Sequence, residues 1–300
     1  MQTWQWRGAA ASGSGYRISY QAAGQLEERE KPALVLIHGF GACSGHWRKN
    51  IPYLAQWGRV YALDLLGFGA SAKPSPSPNL SYTFPTWGKL VVDFVQEVVG
   101  TPVTLAGNSI GAIVAMQAAH FAPSLVDRTI LINCSLRQLH EKKRVHLPWY
   151  QSLGAQVMQT LLTFRPFAQL FFAQVRQPQT IRRILHQAYA QKSAITPDLI
   201  EMLRQPAYDP GALDVFVAFV RYSGGPTPEE LLDTLPCPAI LLWGKEDPWE
   251  PIKIAQTWQR YPAVQAFIPI EGAGHCPQDE LPGVVNPLLL QYWLGQEGDT

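Results

Sequence analysis

Short apolar runs recur along this chain, and each is followed by turn residues and then by a segment with helical spacing. Because polar residues rarely alternate within the runs, they are typical of strands buried on both faces of a sheet. Between two runs, apolar residues from Trp87 to Val98 follow the spacing of one helix face. The alternation predicts an α/β fold with a mostly parallel central sheet and helices on both faces. The predicted strands cover residues 33–37, 59–65, 102–106, 128–132, 239–243 and 266–270.

Two parts of the chain depart from this alternation. Residues 4–7 and 16–22 predict a small antiparallel hairpin at one edge of the sheet. After the predicted strand at 128–132, the sixth when the two hairpin strands are counted, the strand-like runs stop, and segments rich in Leu, Phe and Gln predict helices instead. We therefore expect a core in two parts, residues 1–135 and 229–300, with a helical lid, residues 136–228, inserted between them.

Composition narrows the classes of function. The 300 residues include 24 Lys or Arg and 23 Asp or Glu, a net charge of +1, whereas nucleic-acid binders usually carry a marked basic excess. No nucleic-acid partner is therefore expected. The four cysteines share no CxxC spacing, so we expect buried free thiols, with neither a metal site nor a disulfide scaffold.

Apolar and basic residues bear on the location of the protein. No apolar run reaches the roughly 18 residues that a membrane-spanning helix needs, and residues 1–15 lack the apolar region of a signal peptide. We therefore expect a cytoplasmic protein. Residues 136–205 carry ten Lys or Arg but three Asp or Glu. This excess indicates either peripheral contact with anionic lipid headgroups through the lid or simply a solvated surface.

A G-x-S-x-G pentapeptide, Gly107-Asn-Ser-Ile-Gly111, lies between a predicted buried strand and an Ala-rich helix. In that setting the serine occupies a tight, strained turn that lifts its hydroxyl clear of the sheet. Glycines are needed on either side because side chains there would collide with neighbouring elements. The following helix presents its N-terminus to developing negative charge. Ser109 is therefore the candidate nucleophile.

A serine hydroxyl is a poor nucleophile at neutral pH and needs a base that an acid orients. His275 is the candidate base, since it follows a predicted strand, and Asp247 is the candidate acid, with Glu246 as its rival. The order Ser, Asp, His along the chain is that of α/β-hydrolases. The other six histidines compete less well, and His38 is expected to hold the loop in which it lies.

An oxyanion formed at the serine also needs hydrogen-bond donors. The backbone N–H groups of Phe40, in the sequence His-Gly-Phe-Gly, and of Ile110 are the expected donors. Gly39 and Gly41 would allow this loop to come close to a substrate.

These motifs together resemble the α/β-hydrolase superfamily. The resemblance is carried, in the family's order, by residues 38–41, 64–71, 107–111, 244–247 and 274–275. It implies the α/β-hydrolase fold and a structural, non-catalytic role for Asp64. Dehalogenases and epoxide hydrolases of the superfamily carry Asp as their nucleophile, so Ser109 implies acyl transfer by a cofactor-free enzyme.

Three further stretches, residues 45–50, 131–137 and 274–280, resemble the photosynthetic branch that includes chlorophyll dephytylases and pheophytinases. This resemblance implies that a small hydrophobic ester, the phytyl ester of chlorophyll or pheophytin, is cleaved to release phytol. It also implies that any membrane contacted is a thylakoid. The residues expected to bind substrate are Gly39, Gly41, His46, Trp47, Asn108, Trp149, Phe167 and Phe171.

Other functions stay open at this stage. The same triad could cleave a lipid, a generic carboxylester or a C–C bond β to a ketone. A receptor that retains hydrolase residues and signals by lid movement is a hypothesis from another class. No obligate protein partner is expected.

Overall fold

The computed structural model describes residues 1–8, 15–138, 140–144, 154, 157 and 159–295. Among these residues, eight strands form one sheet in the order β1-β2-β4-β3-β5-β6-β7-β8. The strands are β1 Gln2–Trp6, β2 Tyr16–Gly24, β3 Ala33–Ile37, β4 Arg59–Leu63, β5 Val103–Asn108, β6 Val126–Ile132, β7 Ala239–Gly244 and β8 Val264–Ile270.

The pairing of the strands confirms the predicted mostly parallel sheet. Strands β3 to β8 pair in parallel with their neighbours, whereas β1 pairs antiparallel with β2, and β2 with β4. The hairpin therefore lies at the edge of the sheet, as expected. All residues of β3, β4, β5 and β7 are buried, which explains their continuous apolar sequences.

Helices cover both faces of the sheet. One apolar cluster includes residues of Phe84–Phe94 and Ile110–Phe121, and the cluster on the other face includes residues of Pro282–Leu294. The remaining helices are Ile51–Leu54, Glu141–Arg144, Arg165–Val175, Pro178–Ala188, Pro197–Arg204, Ala212–Arg221, Pro228–Asp233, Ile252–Ala255 and Pro277–Glu280, with a π-helical turn at Val95–Val99 and 3-10 turns at Ser44–Trp47, Pro123–Leu125, Lys192–Ala194, Gln205–Tyr208 and Gln256–Arg260.

The segment between β6 and β7, residues 133–238, is here called the insertion. In its described part the structure shows helices and 3-10 turns, whereas strands resume at Ala239. A small apolar cluster of its own includes Leu185, Tyr189 and Leu199, and Cys276 from the core joins it. The bounds of a separate lid domain remain a prediction.

The parallel strands direct several loops to one edge of the sheet. The loops after β3, β5, β6, β7 and β8 begin at the carboxyl ends of neighbouring strands, where ligands bind in open α/β sheets. These loops carry the predicted site residues. Within the described part of the chain, no helix is both long and apolar enough to cross a membrane.

Candidate active site

Ser109 lies on a sharp turn between β5 and the helix Ile110–Phe121. Its backbone has φ 57° and ψ −118°, a conformation that non-glycine residues rarely adopt. The turn leaves no room for neighbouring side chains. A Cβ atom at Gly107 would lie 2.2 Å from the carbonyl oxygen of Gly111, and one at Gly111 would lie 2.4 Å from that of Ile37. The two glycines are thus required by the close approach of three backbone segments.

His275 and Asp247 form a buried hydrogen-bonded pair. The Nδ1 atom of His275 lies 2.7 Å from Oδ2 of Asp247. The other carboxylate oxygen, Oδ1, accepts hydrogen bonds from the backbone N–H groups of Trp249 and Glu250, at 2.8 and 3.1 Å. Because Asp247 is acceptor-only when ionised, the pair fixes the proton of His275 on Nδ1 and leaves Nε2 free to accept a proton.

The surroundings of His275 favour its protonated form. Burial lowers the pKa of this imidazole, but the hydrogen bond to Asp247 and the nearby charges of Asp247, Glu250 and Glu280 outweigh it, so the net pKa is raised above 6.5. The ring of Trp249 packs edge-on against the imidazole, with 4.9 Å between ring centroids. These contacts suit a base that must hold a proton during a reaction.

Asn133, directly after β6, supports the acid and was not predicted from the sequence. Its side-chain Nδ2 donates to Oδ2 of Asp247 at 2.7 Å, and its Oδ1 accepts from the N–H of Gly244 at 2.9 Å. The residue has a positive φ of 40°. The one available signal was its position, because it follows a buried parallel strand whose carboxyl end lies at the site.

The loop after β3 carries the predicted oxyanion donor. His38 holds this loop, since its Nδ1 donates to the carbonyl of Gly39 at 2.7 Å while its Nε2 accepts from the N–H of Leu65 at 3.1 Å. The ring of Phe40 stacks on Phe219 of the insertion, with 4.5 Å between centroids. Ile110, the second predicted donor, is the first residue of its helix, so its N–H has no partner within that helix.

Ser109, His275 and Phe40 line one cavity of about 980 Å³. This is at the large end of the range for small-molecule sites. Most of its wall is apolar, and much of it is aromatic. Among the described residues, neither the Ser109 hydroxyl nor His275 Nε2 has a hydrogen-bond partner. Such contacts are often long in a free enzyme and tighten once substrate is bound.

Several predicted substrate contacts also line this cavity. They are Gly39, Gly41, His46, Asn108 and Phe171. His46 is neutral, because burial lowers its pKa to about 4, and its Nε2 lies 2.8 Å from the hydroxyl oxygen of Tyr189. Asn108 has a positioning contact, since its side-chain Nδ2 donates to the backbone carbonyl of His275 at 3.0 Å.

Two other predicted contacts are not brought to the cavity. Trp47 ends a short 3-10 turn and is fully buried in the core on one face of the sheet, so the expected substrate contact is wrong for this residue. Phe167 does not line the cavity, although its ring stacks on that of Phe171, which does, with 6.1 Å between centroids. Trp149 lies outside the described residues.

Glu250, which lines the cavity, is a second residue that the sequence analysis missed. Its Oε2 accepts from the backbone N–H of Leu136 at 2.9 Å, at the start of the insertion. Burial raises the pKa of this carboxyl to about 7. Glu246, the rival acid, is exposed and does not line the cavity.

Asp64 and the cysteines have structural surroundings. The carboxylate of Asp64 accepts from the N–H groups of Ser44 at 2.6 Å and Ala70 at 2.8 Å, which joins two loops. The four cysteines are buried and unpaired. In the part of the chain that is described, no group of three His, Cys, Asp or Glu residues is placed to hold a metal ion.

The parallel sheet and the serine turn at its carboxyl edge define a class of protein, the α/β hydrolases. The sequence matches the model of the alpha/beta hydrolase family over residues 34–288. The match covers most of the chain, so the protein belongs to this family and is a hydrolase.

Three proteins similar to this chain share 21–28% sequence identity with it. The chloroplastic pheophytinase of Arabidopsis thaliana is 28% identical over an alignment of 313 positions, gaps included. The alignment covers 93% of this chain and 64% of that protein. Epoxide hydrolase 4 of Mus musculus is 27% identical over 295 residues, covering 93% of this chain and 77% of that protein. A thermophilic esterase from Thermogutta terrifontis, solved with malate bound, has a TM-score of 0.75 at 21% identity over 99% of both chains. That likeness shows the fold.

Proposed function

We propose that the protein is a serine hydrolase that cleaves a carboxylic ester through an acyl-enzyme. The observation that carries the proposal is the strained turn at Ser109, which faces the same cavity as the His275–Asp247 pair. A serine hydroxyl and an oriented base that line one cavity are the arrangement that nucleophilic catalysis requires. The serine also separates this chain from enzymes that use an Asp nucleophile.

Each residue then has a defined role. Ser109 Oγ attacks the carbonyl carbon of the ester while His275 Nε2 takes its proton. The N–H groups of Phe40 and Ile110 donate to the oxyanion of the tetrahedral intermediate. When the intermediate collapses, the C–O bond breaks and His275 returns the proton to the leaving alcohol. Asp247 stabilises the imidazolium throughout, and a water molecule activated by His275 then hydrolyses the acyl-enzyme.

The phytyl ester of chlorophyll or pheophytin is the proposed substrate. The cavity is large and lined by aromatic residues, including Phe84, Phe216 and Phe219, and burying a long alkyl chain stabilises a complex by about 0.8 kcal/mol per methylene. The similarity to a pheophytinase supports the same substrate class. The chain spans 64% of the length of that relative, so its activity is transferred here only as a proposal.

Contact with a membrane is a second part of the proposal. Large apolar side chains of the insertion are exposed, among them Phe164 at 63% and Leu170 at 72%. Exposed basic residues, including Arg182 and Arg183, lie in the same insertion. An apolar and basic surface suits a peripheral enzyme whose substrate is dissolved in an anionic bilayer, such as a thylakoid.

The nucleophile is tested with Ser109→Ala. The variant should fold as the wild type does by circular dichroism but lose ester hydrolysis and labelling by a fluorophosphonate. Ser223→Ala, which removes another hydroxyl from the same cavity, is the control and should still be labelled. Hydrolysis that persists in pure Ser109→Ala protein would refute the proposal.

The substrate is tested by chromatography of pigments after incubation with chlorophyll a and with pheophytin a. The proposal predicts a dephytylated pigment and free phytol with the wild type, and neither with Ser109→Ala. Short p-nitrophenyl esters are assayed in parallel. Turnover of the short esters alone would contradict the phytyl substrate and leave a generic carboxylesterase.

A further inference from the structure

The backbone of His275 is held on both sides. Its N–H donates to the carbonyl of Ala188, the last residue of the insertion helix Pro178–Ala188, at 2.8 Å. Its carbonyl accepts from the side chain of Asn108, the residue before the serine, at 3.0 Å. The backbone N–H and C=O of His275 therefore connect the insertion to the end of β5.

One buried carboxylate binds the amides on either side of His275. Oε1 of Glu280 accepts from the N–H groups of Gly274 at 3.1 Å and Cys276 at 3.0 Å. Its Oε2 accepts from Gly274 at 3.0 Å and from two insertion amides, those of Ala190 at 2.6 Å and Gln191 at 3.0 Å. Glu280 is 6% exposed. Four backbone donors from two segments thus converge on a single side chain.

The close approach at this point is built into the sequence. A Cβ atom at Gly274 would lie 2.2 Å from the carbonyl oxygen of Ala188 and 2.7 Å from the backbone nitrogen of Ala190. Only glycine fits there. In the described part of the chain, Glu280 forms no ion pair with a basic side chain, so backbone amides alone compensate its charge. An ionised carboxylate suits this place because it accepts hydrogen bonds at both oxygens and donates none.

We propose that Glu280 is a positioning residue for the base: its carboxylate sets the position of His275 by binding the amides of Gly274 and Cys276 and joining them to the insertion. The proposal rests on the proposed function, in which His275 accepts the proton of Ser109. The ionisable groups that face His275 are Asp247 and Glu250 from the loop after β7, Glu280 from the helix after β8, and His46 from the loop after β3.

The charge of Glu280 also acts on His275. Burial lowers the pKa of the imidazole, and Glu280 is among the carboxylates that raise it. Glu280→Gln removes the charge, and its NH₂ group would face backbone N–H donors. Glu280→Asp keeps the charge on a side chain that is one methylene shorter. Because Glu280→Gln disturbs both the hydrogen bonds to the amides and the charge near His275, it should lower activity more than Glu280→Asp does.

The control is Asp279→Asn, on the same short helix. Asp279 is also buried, but its carboxylate pairs with Arg48 at 2.9 Å and Lys49 at 3.0 Å and accepts from the hydroxyl of Tyr189 at 2.9 Å, whereas the amides of Gly274 and Cys276 donate to Glu280. Its loss should lower stability without moving His275. It therefore separates a general loss of structure from a specific effect on the base.

The first measurement is the titration of the His275 ring by ¹H–¹⁵N NMR in the Ser109→Ala background, with the signal assigned from its loss in His275→Gln. We expect the midpoint to move to lower pH in Glu280→Gln, less so in Glu280→Asp, and not in Asp279→Asn. With Ser109 intact, kcat for a p-nitrophenyl ester should fall roughly 10–100-fold in Glu280→Gln with little change in KM, since small displacements of a catalytic group have effects of this size.

The outcomes are distinct. An unmoved midpoint for His275 in Glu280→Gln would overturn the proposal. A wild-type kcat in Glu280→Gln would overturn it as well, if that variant is no more stable than Asp279→Asn. If the wild type turned over no ester and Ser109 resisted the fluorophosphonate, the proposed function would fail instead. The NMR titration would then still decide whether Glu280 controls His275.

Discussion

At the scale of single residues, the site depends on carboxylates whose surroundings differ. Asp247 accepts hydrogen bonds from two backbone N–H groups, from the side chain of Asn133 and from His275. Glu250, three residues later, receives one backbone N–H from the insertion and is largely buried, which raises its pKa to about 7. These two acids of one loop therefore have different surroundings, as carboxylates with different roles in one site do.

Glu250 predicts a dependence of stability on pH. Its pKa is raised from 4.5 to about 7 in the folded protein, so between these values the native state binds a proton that the unfolded state has lost. The contribution of Glu250 to stability is present below about pH 4.5 and is lost as pH rises through about 7. We expect the free energy of unfolding to fall by about 1–3 kcal/mol more in the wild type than in Glu250→Gln between pH 5 and pH 7.5.

Urea unfolding of both proteins at the two pH values measures this difference. Titrating groups that do not interact with Glu250 are common to the two chains and cancel in the comparison, whereas His275 responds to the charge of Glu250. Identical pH dependence in the wild type and in Glu250→Gln would show that the carboxyl titrates normally.

The sequence predicted the serine, the acid and the base because each follows a recognisable strand. Asn133, Glu250 and Glu280 were missed, since single polar residues in loops create no periodic pattern and their partners are distant in sequence. A substrate contact is predicted for Trp47, which follows the oxyanion loop in the sequence. The 3-10 turn Ser44–Trp47 instead directs its ring into the core, a direction that only the folded chain determines.

At the scale of elements, the turn between β5 and the next helix brings several backbone segments into close contact. A methyl group at Gly111 would lie 2.4 Å from the carbonyl oxygen of Ile37 and 2.7 Å from that of His38. Both are backbone atoms of β3 and the loop that follows it, so neither can move without shifting the strand or the loop. Strand and helix must separate if the methyl group is added.

We therefore expect Gly111→Ala to destabilise the protein by about 2–4 kcal/mol, since overpacking that shifts backbone has costs of this order. The matched control is Gly283→Ala, in the helix Pro282–Leu294, where an added Cβ meets nothing within 4 Å. That control should be neutral or more stable by up to about 1 kcal/mol, because Ala favours helix. Thermal and urea unfolding measure both, and equal stability of the two variants would contradict the argument.

The elements themselves were well predicted from apolar patterns. The predicted strand at residues 102–106 is observed as Val103–Asn108, and that at 128–132 as Val126–Ile132. Buried parallel strands have continuous apolar sequences, so their positions are clear while their ends depend on local turns. The helices of the insertion give no such continuous pattern, because their apolar residues are divided between the large core cluster, a small separate cluster and the surface.

At the scale of the whole molecule, the insertion is attached to the core at the catalytic end. Its residues 188–191 share hydrogen bonds with the His275 loop and Glu280, whereas Phe219 stacks on Phe40 of the oxyanion loop. Four exposed apolar side chains lie in another part, from Val157 to Leu170, and Ile184 and Tyr208 are exposed as well. The exposed apolar stretch thus lies apart from the residues that attach the insertion to the site, whereas Arg182 and Arg183 lie on the helix that ends at Ala188.

This separation predicts that membrane binding can be weakened without changing the chemistry. We expect the wild type to bind vesicles containing phosphatidylglycerol more tightly than vesicles of phosphatidylcholine alone. Arg182→Gln with Arg183→Gln should weaken binding to the anionic vesicles by roughly 30-fold, since each basic residue near the surface contributes about 1 kcal/mol. Phe164→Ser with Leu170→Ser should weaken binding to both kinds of vesicle. Flotation assays measure each partition.

The control for this prediction is Val284→Ser, an exposed apolar residue on the core helix Pro282–Leu294. It should bind vesicles as the wild type does, because it lies outside the insertion. Hydrolysis of a short p-nitrophenyl ester in solution should be unchanged in all of these variants, since none of the substituted residues lines the cavity next to Ser109. Equal vesicle binding by Val284→Ser and by the Phe164, Leu170 double variant would mean that the insertion is not the surface that meets the lipid.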